Sequence, residues 1–317
     1  MTGVPVTWAA PQSDEWLTER GNGIGGSDIA TLLGLNPYKT VTELWLEKTG
    51  RSEPFTGNYA TDRGHALEAF LVGVYRDAHP GTVIDTAPDD MPSIVAHPDV
   101  PAARVSLDGL AHDKHHSYVL EVKTGGHRQL AQWDDDGIPQ PYAVQVGYQL
   151  AVTGLDHAVV VADIGGEYLE RRVDADDTFT AYILDEVAEW WWRHVHPDGP
   201  LHIPAPDPIR DRHILPRVWE PDVTLEPVVL DSVLVERLRD ARAAKALALT
   251  DYAVACAEVQ VALGEAVAGV DTSGDEVCRW GPVKGRTVVD TKRLIEDGIY
   301  DKYAVTGKPS RAFRVRG

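Results

Sequence analysis

An aspartate and a Glu-x-Lys motif lie on two successive predicted strands, at 104–110 and 118–124. Residues two apart in a strand share a face, so Glu121 and Lys123 point the same way, and Asp108 on a neighbouring strand can lie beside them. Carboxylates suit hard divalent cations, and two such ions about 3.5–4 Å apart can stabilise both reacting oxygens of a phosphodiester displacement. Lys123 would position or deprotonate the attacking water and offset developing charge. The spacing therefore indicates metal-dependent phosphodiester hydrolysis.

Two polar residues on predicted helices extend this set. Glu68 lies at the edge of the apolar stripe of an amphipathic helix at 62–78, half turned towards whatever that helix packs on. Gln145 lies on a helix predicted at 141–152. An aspartate with a Glu-x-Lys motif is common by chance, and an ordinary surface ion pair is the alternative interpretation. The order Glu-helix, Asp-strand, Glu-x-Lys-strand, Gln-helix is much less common, and it favours a site.

The elements that must position these residues alternate between helical and strand periodicity, which predicts an α/β chain of the α+β type. Ser13 caps the first helix, and the glycine-rich turn 21–26 precedes the second. The helices are predicted at 13–20, 27–35, 40–48, 62–78, 141–152 and 177–194, and the strands at 93–96, 104–110, 118–124, 158–164 and 168–173.

Composition divides the chain into three predicted regions. Residues 1–196 hold all the motifs above and form the predicted core. Residues 197–226 are rich in proline and lack periodicity, which indicates an extended linker or arm. Residues 227–317 are predicted as a C-terminal extension with a long helix at 228–265 and a small αβ element. That element would comprise strands at 277–280 and 286–289, a short helix from Asp290, and a closing strand at 311–316.

The net charge of −19 argues against binding of nucleic acid, whose phosphates attract basic surfaces. A carboxylate-rich metal site carries its compensating charge as bound cations, so the overall charge does not decide the local field. A DNA-binding interpretation still requires a local basic surface. The candidates for it are Arg20, Lys39, Lys48, Arg51 and Arg63.

The same composition predicts a cytoplasmic protein that does not enter a membrane. No continuous apolar run approaches about 18 residues, and the N-terminus lacks the pattern of a signal peptide. Cys256 and Cys278 are too few for a disulfide framework or a cysteine-rich metal site.

Two weaker patterns favour other classes of site. Gly21, Gly23 and Gly26 match the dinucleotide-binding fingerprint, which would make the protein an oxidoreductase, but no convincing strand precedes them. His112, His115 and His116 could bind a transition metal, yet a solvated turn between strands is the simpler interpretation.

The ordered motifs resemble one known family, the YqaJ-type viral recombinases, relatives of phage lambda exonuclease in the PD-(D/E)xK nuclease superfamily. The resemblance covers about residues 13–165, and none of the motifs is specific alone. They are RGNGIGGSDI at 20–29, NPYK at 36–39, ELWLEKTG at 43–50, RGHALE at 63–68, SLDGL at 106–110, LEVKT at 120–124 and YAVQVGY at 142–148.

The resemblance implies a restriction-endonuclease-like core, with a central mixed sheet flanked by helices and a C-terminal helical and small β extension. It also implies an exonuclease that uses two Mg²⁺ (or Mn²⁺) ions and digests linear duplex DNA, usually 5′ to 3′. Asp108, Glu121 and the carbonyl of Val122 would hold one ion, and Glu68 would support the other.

The family also implies roles for residues around the metals. Lys123 would serve the nucleophilic water, and Gln145 would orient the site with Tyr142 beside it. Arg20 and Ser27 match positions that receive a terminal 5′ phosphate. This assignment fits local physics, since the turn that ends at Ser27 presents N–H groups and a helix start to an anion.

The chain departs from the family pattern in two places near the site. Leu107 replaces a proline that often precedes the aspartate, and Gly147 stands where many relatives have a second glutamine. The second departure predicts a less polar helix beside Glu121.

The family context predicts a phage- or prophage-encoded protein in the bacterial cytoplasm. It would resect double-stranded DNA ends for a single-strand annealing protein, and it would assemble as a homo-oligomer. The alternatives are an endonuclease or structure-specific nuclease with the same site, and a non-catalytic DNA-binding or assembly subunit.

Overall fold

In the computed structural model the chain forms two compact units, Met1–Glu220 and Pro221–Gly317. The structure describes residues 2–52, 57–133, 137–220, 222–285 and 288–305. Every residue assigned above to the candidate site belongs to the first unit.

The first unit contains eight strands and seven α-helices in its described part. In chain order they are β1 (Val4–Thr7), α1 (Asp14–Gly21), α2 (Gly26–Leu32), α3 (Val41–Lys48), α4 (Tyr59–Ala78), β2 (Val83–Asp85), β3 (Ile94–Ala96), β4 (Arg104–Val105), β5 (Gly109–His112), β6 (Ser117–Gly125), α5 (Gln140–Thr153), β7 (His157–Ile164), β8 (Glu167–Asp174), α6 (Asp177–His194) and α7 (Leu215–Val218). Short 3₁₀ turns lie at His127–Gln132 and Asp211–His213.

A five-stranded sheet in the order β2-β5-β6-β7-β8 forms the centre of this unit. Strands β6 and β7 run parallel and the other neighbours run antiparallel, so the sheet is mixed. The parallel pair requires a crossover, which α5 supplies. Helices cover both faces, and the predicted class of a mixed sheet flanked by helices is confirmed.

The two faces of β6 pack against different helices. On one face Leu120 and Val122 join the apolar cluster that contains Leu71 and Val72 of α4. On the other face Val119 joins the cluster that contains residues of α5. Because side chains alternate along a strand, Glu121 and Lys123 share the face of Val119 and lie on the side of α5.

A second sheet, in the order β1-β3-β4, holds the glycine-rich turn in place. The Ile24 amide donates to the Ala102 carbonyl at 2.7 Å, and the Ile24 carbonyl accepts from the Arg104 amide at 3.1 Å. At Gly23 a β-carbon would lie 2.5 Å from the Ala102 oxygen, so only glycine permits this close approach. The turn is therefore fixed by main-chain bonds to β4 and the segment before it.

Most predicted elements of the core appear within one to three residues of their expected bounds. The predicted strand at 104–110 is wrong in one respect: it is two strands. Strand β4 pairs with β3 in the small sheet, whereas β5 pairs with β2 and β6 in the large one. Three residues, 106–108, cross between the sheets, and Asp108 is the last of them.

Part of the proline-rich region packs on the first unit. Asp211 is buried and accepts a hydrogen bond from the Thr40 hydroxyl at 2.5 Å. Ile214 and Val218 belong to the main apolar core. The first unit therefore continues to Glu220, well into the region predicted as a linker or arm.

The second unit consists of α8 (Ser232–Leu263), β9 (Ala268–Val270), β10 (Glu276–Arg279), α9 (Thr291–Glu296) and α10 (Tyr300–Tyr303). Strands β9 and β10 form an antiparallel hairpin. The strand predicted at 286–289 falls partly outside the described residues, and the one at 311–316 falls wholly outside them.

Helix α8 is long and apolar enough to cross a membrane, by length and composition alone. An 18-residue window has a mean hydropathy of 1.4, and none of it is buried in the described part of the chain. Sequence analysis found no such segment because Asp251 and Glu258 interrupt the apolar run. Such a composition also occurs in helices of soluble proteins.

Candidate active site

Glu121 is the centre of the candidate site. Its side chain is 2% exposed, and both carboxylate oxygens accept hydrogen bonds. Gln145 donates to Oε1 at 2.6 Å, Gln149 donates to Oε2 at 2.6 Å, and Lys123 forms an ion pair with Oε1. The structure thus brings the three predicted residues Glu121, Lys123 and Gln145 together. Hydrogen bonds hold each carboxylate oxygen of Glu121 in a defined direction.

Asp108 is hydrogen-bonded to the main chain of β6 at the residue that follows Glu121. Its Oδ2 accepts the Val122 amide hydrogen at 2.7 Å. Burial raises the pKa of Asp108 well above its usual range, and the negative charges of Glu121 and Glu68 raise it further. Three carboxylates therefore lie within electrostatic range of one another and of the Lys123 ammonium.

Glu68 approaches the same region from α4. Burial raises the pKa of its carboxyl group; His65 acts against this rise, whereas the charge of Glu121 adds to it. The position of Glu68 at the edge of the apolar stripe therefore brings it within electrostatic range of the site, as its helical phase predicts.

Burial alone would lower the pKa of Lys123, but the charges of Glu121 and Asp108 outweigh this and hold it above the usual lysine range. Its Nζ also lies 5.2 Å from the centre of the Tyr142 ring, within cation–π range. Lys123 is therefore an ammonium at neutral pH in this arrangement. It partly balances the charge of the carboxylates.

The donor set suits a hard divalent cation, because carboxylate oxygens with raised pKa values gain from added positive charge. The carboxylates have not converged on one point: no group of three acidic, histidine or cysteine side chains in the described residues is close enough to share an ion. Residues Asp108, Glu121 and Glu68 fit the predicted ligands by chemistry and neighbourhood.

Gln149 is a site residue that sequence analysis missed. It lies four residues after Gln145, so both amides project from one face of α5. The prediction of a less polar helix, based on Gly147, is wrong at this face. Gly147 lies on another face, where a β-carbon would be 2.8 Å from the Phe179 ring. The i, i+4 spacing of the two glutamines was the available signal.

Arg20 and Ser27 form the second predicted group. The Arg20 guanidinium donates to the Ser27 hydroxyl at 2.7 Å and lies 5.2 Å from the Trp16 ring centre. Gly26, beside Ser27, packs against the Gln145 and Gln149 side chains. The Arg20–Ser27 pair therefore lies on the α5 side of the carboxylates.

Asp28 stabilises the turn that carries the Arg20–Ser27 pair. It is buried, accepts from the Gly25 amide at 3.0 Å, and pairs with the buried Lys48 ammonium at 2.8 Å. Burial alone would raise its pKa, but Lys48, Lys39 and Arg20 together hold the pKa far below the usual range. Asp28 and Lys48 are structural residues of this region that sequence analysis did not identify as a pair.

Several candidates for a basic surface are engaged within the protein. Lys48 pairs with Asp28, and Lys39 pairs with Glu47 at 2.5 Å. The guanidinium of Arg51 lies over the Trp45 ring. Lys48 is therefore a buried structural cation, whereas Lys39 and Arg51 each have a partner within the protein.

The other weak sites have structural explanations. The predicted dinucleotide fingerprint follows α1 and not a strand. His112 bonds to Asp85 at 3.0 Å and to Ser117 at 2.8 Å, so its ring connects the ends of β2, β5 and β6.

Known proteins are similar to part of this chain. The sequence model of the YqaJ-like viral recombinase domain matches residues 15–156. Protein YqaJ of Bacillus subtilis (strain 168) is 33% identical over 184 residues, which cover 56% of this chain and 55% of YqaJ. Protein R354 of Acanthamoeba polyphaga mimivirus is 25% identical over 181 residues, covering 55% of this chain and 31% of R354. The match thus spans about half of YqaJ and a third of R354.

A solved structure with a similar fold is that of an alkaline exonuclease (LHK-Exo) from Laribacter hongkongensis. It is 20% identical, with a TM-score of 0.43, and the match covers 56% of this chain and 90% of that one. Its complex with dAMP gives a TM-score of 0.44. The similarity to the YqaJ-like viral recombinase domain therefore lies in residues 15–156, the part of the chain that holds the whole candidate site.

Proposed function

We propose that the protein is a divalent-metal-dependent deoxyribonuclease that digests linear duplex DNA from its ends, 5′ to 3′, during phage-type recombination. The observation that carries the proposal is Glu121, a buried carboxylate held by two amides and an ammonium beside the half-buried Asp108. Crowding of like charges lowers the stability of a fold, so a catalytic use explains it better than a structural one.

Asp108, Glu121 and the Val122 carbonyl would hold one Mg²⁺ or Mn²⁺, and Glu68 would support a second. When bound, these ions supply Lewis acidity at the phosphodiester and a water of lowered pKa. Gln145 and Gln149 keep the Glu121 oxygens in fixed directions. The Val122 amide does the same for Asp108.

Lys123 acts on the attacking water or the scissile phosphate as a hydrogen-bond donor. In the metal-free protein the charges of Glu121 and Asp108 raise the pKa of Lys123, so its ammonium is a hydrogen-bond donor in that state. Its positive charge offsets the negative charge that develops on the phosphoryl oxygens. The Tyr142 ring limits the directions in which the ammonium can point.

The Arg20–Ser27 pair would receive the terminal 5′ phosphate. A guanidinium and a hydroxyl are suitable donors to a phosphate, and Asp28 with Lys48 holds the turn that carries them. End recognition of this kind distinguishes an exonuclease from an enzyme that cuts within a strand.

The wider context of the proposal follows from the similarity to the YqaJ-like viral recombinase domain. The protein would be phage- or prophage-encoded, would act in the cytoplasm of a bacterial host with a single-strand annealing protein, and would work as a homo-oligomer.

Digestion of 5′-phosphorylated linear duplex DNA, compared with closed circular DNA, tests the proposal. We expect mononucleotides from the linear form alone, with Mg²⁺, and none with a chelator or in Asp108→Ala. Cutting of the circle would instead establish an endonuclease. Absence of metal-dependent cleavage of either DNA would leave a DNA-binding or assembly role.

A further inference from the structure

A cleft of about 380 Å³ extends away from the carboxylates along α4. Five of its lining residues come from that helix, among them His65, Glu68, Val72 and Arg76. Thr86 and Asp108 line it from the segments that follow β2 and β4. The cleft therefore begins at two of the three carboxylates and leads to Arg76.

The helical spacing aligns these residues. Positions 65, 68, 72 and 76 are separated by three, four and four residues, so their side chains lie on one face of α4. Arg76 is exposed, and it has no hydrogen-bond or ion-pair partner in the described part of the chain. In a chain with a net charge of −19, an arginine without a partner beside a carboxylate-lined cleft is available to an anion.

The cleft and the Arg20–Ser27 pair lie on opposite sides of the carboxylates. Arg20 and Ser27 lie next to α5, and α5 packs on the Val119 face of β6. Arg76 lies on α4, which packs on the Leu120 face. An extended anionic chain held at Ser27 would therefore pass the carboxylates before it reaches Arg76.

We infer that this cleft binds the phosphodiester backbone of the cleaved DNA strand, with Arg76 as a phosphate ligand and His65 as a second donor. The inference rests on the proposed nuclease function. Glu68 and Arg76 are eight residues apart, which corresponds to about 12 Å along the helix axis. Along the axis of a duplex, where each strand carries one phosphate about every 3.4 Å, that distance corresponds to three to four nucleotides.

DNA affinity as a function of salt concentration tests the inference, in an Asp108→Asn background that binds without cleaving. Arg76→Ala should weaken binding of linear duplex DNA about tenfold or more, and should reduce the slope of log K against log[salt] by about 0.9, the loss of one phosphate contact. Arg193→Ala is the matched control. It removes one exposed arginine of the same unit, which pairs with Glu189 on α6, and it should change neither quantity.

Single neutral methylphosphonates placed along the cleaved strand identify the partner of Arg76. One position within a few nucleotides of the scissile phosphate should weaken binding with Arg76 present, and should cause no further loss in Arg76→Ala. Cleavage of linear DNA by the parent, together with unchanged affinity and slope in Arg76→Ala, would overturn the inference and leave the nuclease proposal intact. A parent that neither binds nor cleaves DNA would overturn both.

Discussion

The Gln149 amide donates to Oε2 of Glu121 at 2.6 Å, from a position with no exposed surface. Gln145 holds the other oxygen, so the carboxylate cannot rotate without breaking one of two bonds. Through this one side-chain hydrogen bond to Glu121, Gln149 helps to set the direction in which the carboxylate points.

We expect Gln149→Leu to lower the turnover rate or the metal affinity by about ten- to a hundredfold, as is typical when a ligand loses its supporting partner. Activity across a Mg²⁺ titration measures both effects. Gln149→Glu is a useful contrast, because it adds a fourth carboxylate and should be worse. Normal activity in a folded Gln149→Leu protein would contradict a positioning role.

Lys123→Ala should reduce turnover by about 10²- to 10⁴-fold, the usual contribution of a positioned proton donor or acceptor. Folding and DNA binding should be retained in the presence of Mg²⁺, because bound cations would then balance the carboxylates that Lys123 partly balances in the metal-free protein. Single-turnover digestion measures the loss. Lys114→Ala, at an exposed turn, is the control and should digest DNA at the parent rate.

Arg20→Ala should reduce the preference for 5′-phosphorylated over 5′-hydroxyl ends. Loss of a hydrogen bond to a charged partner corresponds to about 1.5–3 kcal/mol, so the preference should fall by at least about tenfold. Competition between the two kinds of end gives the ratio directly. If the parent shows no preference, the assignment of the Arg20–Ser27 pair is wrong.

Asp28→Asn should destabilise the protein by about 3–5 kcal/mol, since it leaves the buried Lys48 ammonium without its counter-charge. The double variant with Lys48→Met should recover part of this loss, and a double-mutant cycle from denaturant unfolding measures the coupling.

The same pair predicts a pH dependence. The folded-state pKa of Asp28 lies below its unfolded value of about 4, so its stabilisation is present above pH 4 and is lost as the pH falls further. Asp28→Asn should therefore flatten the acid side of the stability profile. A steep acid limb that survives in Asp28→Asn would have to come from other carboxylates.

Asp108 should behave in the opposite way. Its folded-state pKa is raised, so the metal-free protein loses stability as the pH rises above about 4. Asp108→Asn keeps an acceptor for the Val122 amide and removes the charge. At pH 8 with chelator it should melt at a higher temperature than the parent, and Mg²⁺ should raise the melting temperature of the parent more. A lower melting temperature for Asp108→Asn in chelator would contradict this account of the site.

The predictable part of the site depends on local periodicity. Alternation along β6 places Glu121 and Lys123 on one face, and helical phase places Glu68 at the edge of its stripe; both follow from spacing alone. The break between β4 and β5 could not be predicted in this way, because residues 106–108 suit a strand and only pairing with distant strands divides them.

Long-range pairing explains the other omissions. Strand β1 forms by pairing with β3, which lies about 90 residues later in the sequence. Asp28 and Lys48 each have an ordinary helical context, and only the packing of α2 on α3 makes them a buried pair. The unbroken helix α8 was predicted well, since its propensity is local.

Ile24 is fully buried, and its carbonyl accepts from both the Arg104 amide and the Tyr148 hydroxyl. One peptide group thus connects the glycine-rich turn to the small sheet and to α5, which carries the amides that hold Glu121. The distance between Ser27 and Glu121 is consequently fixed by the backbone. A nuclease that binds the terminal phosphate at a fixed distance from its catalytic carboxylates would remove fragments of constant size, whatever the base sequence.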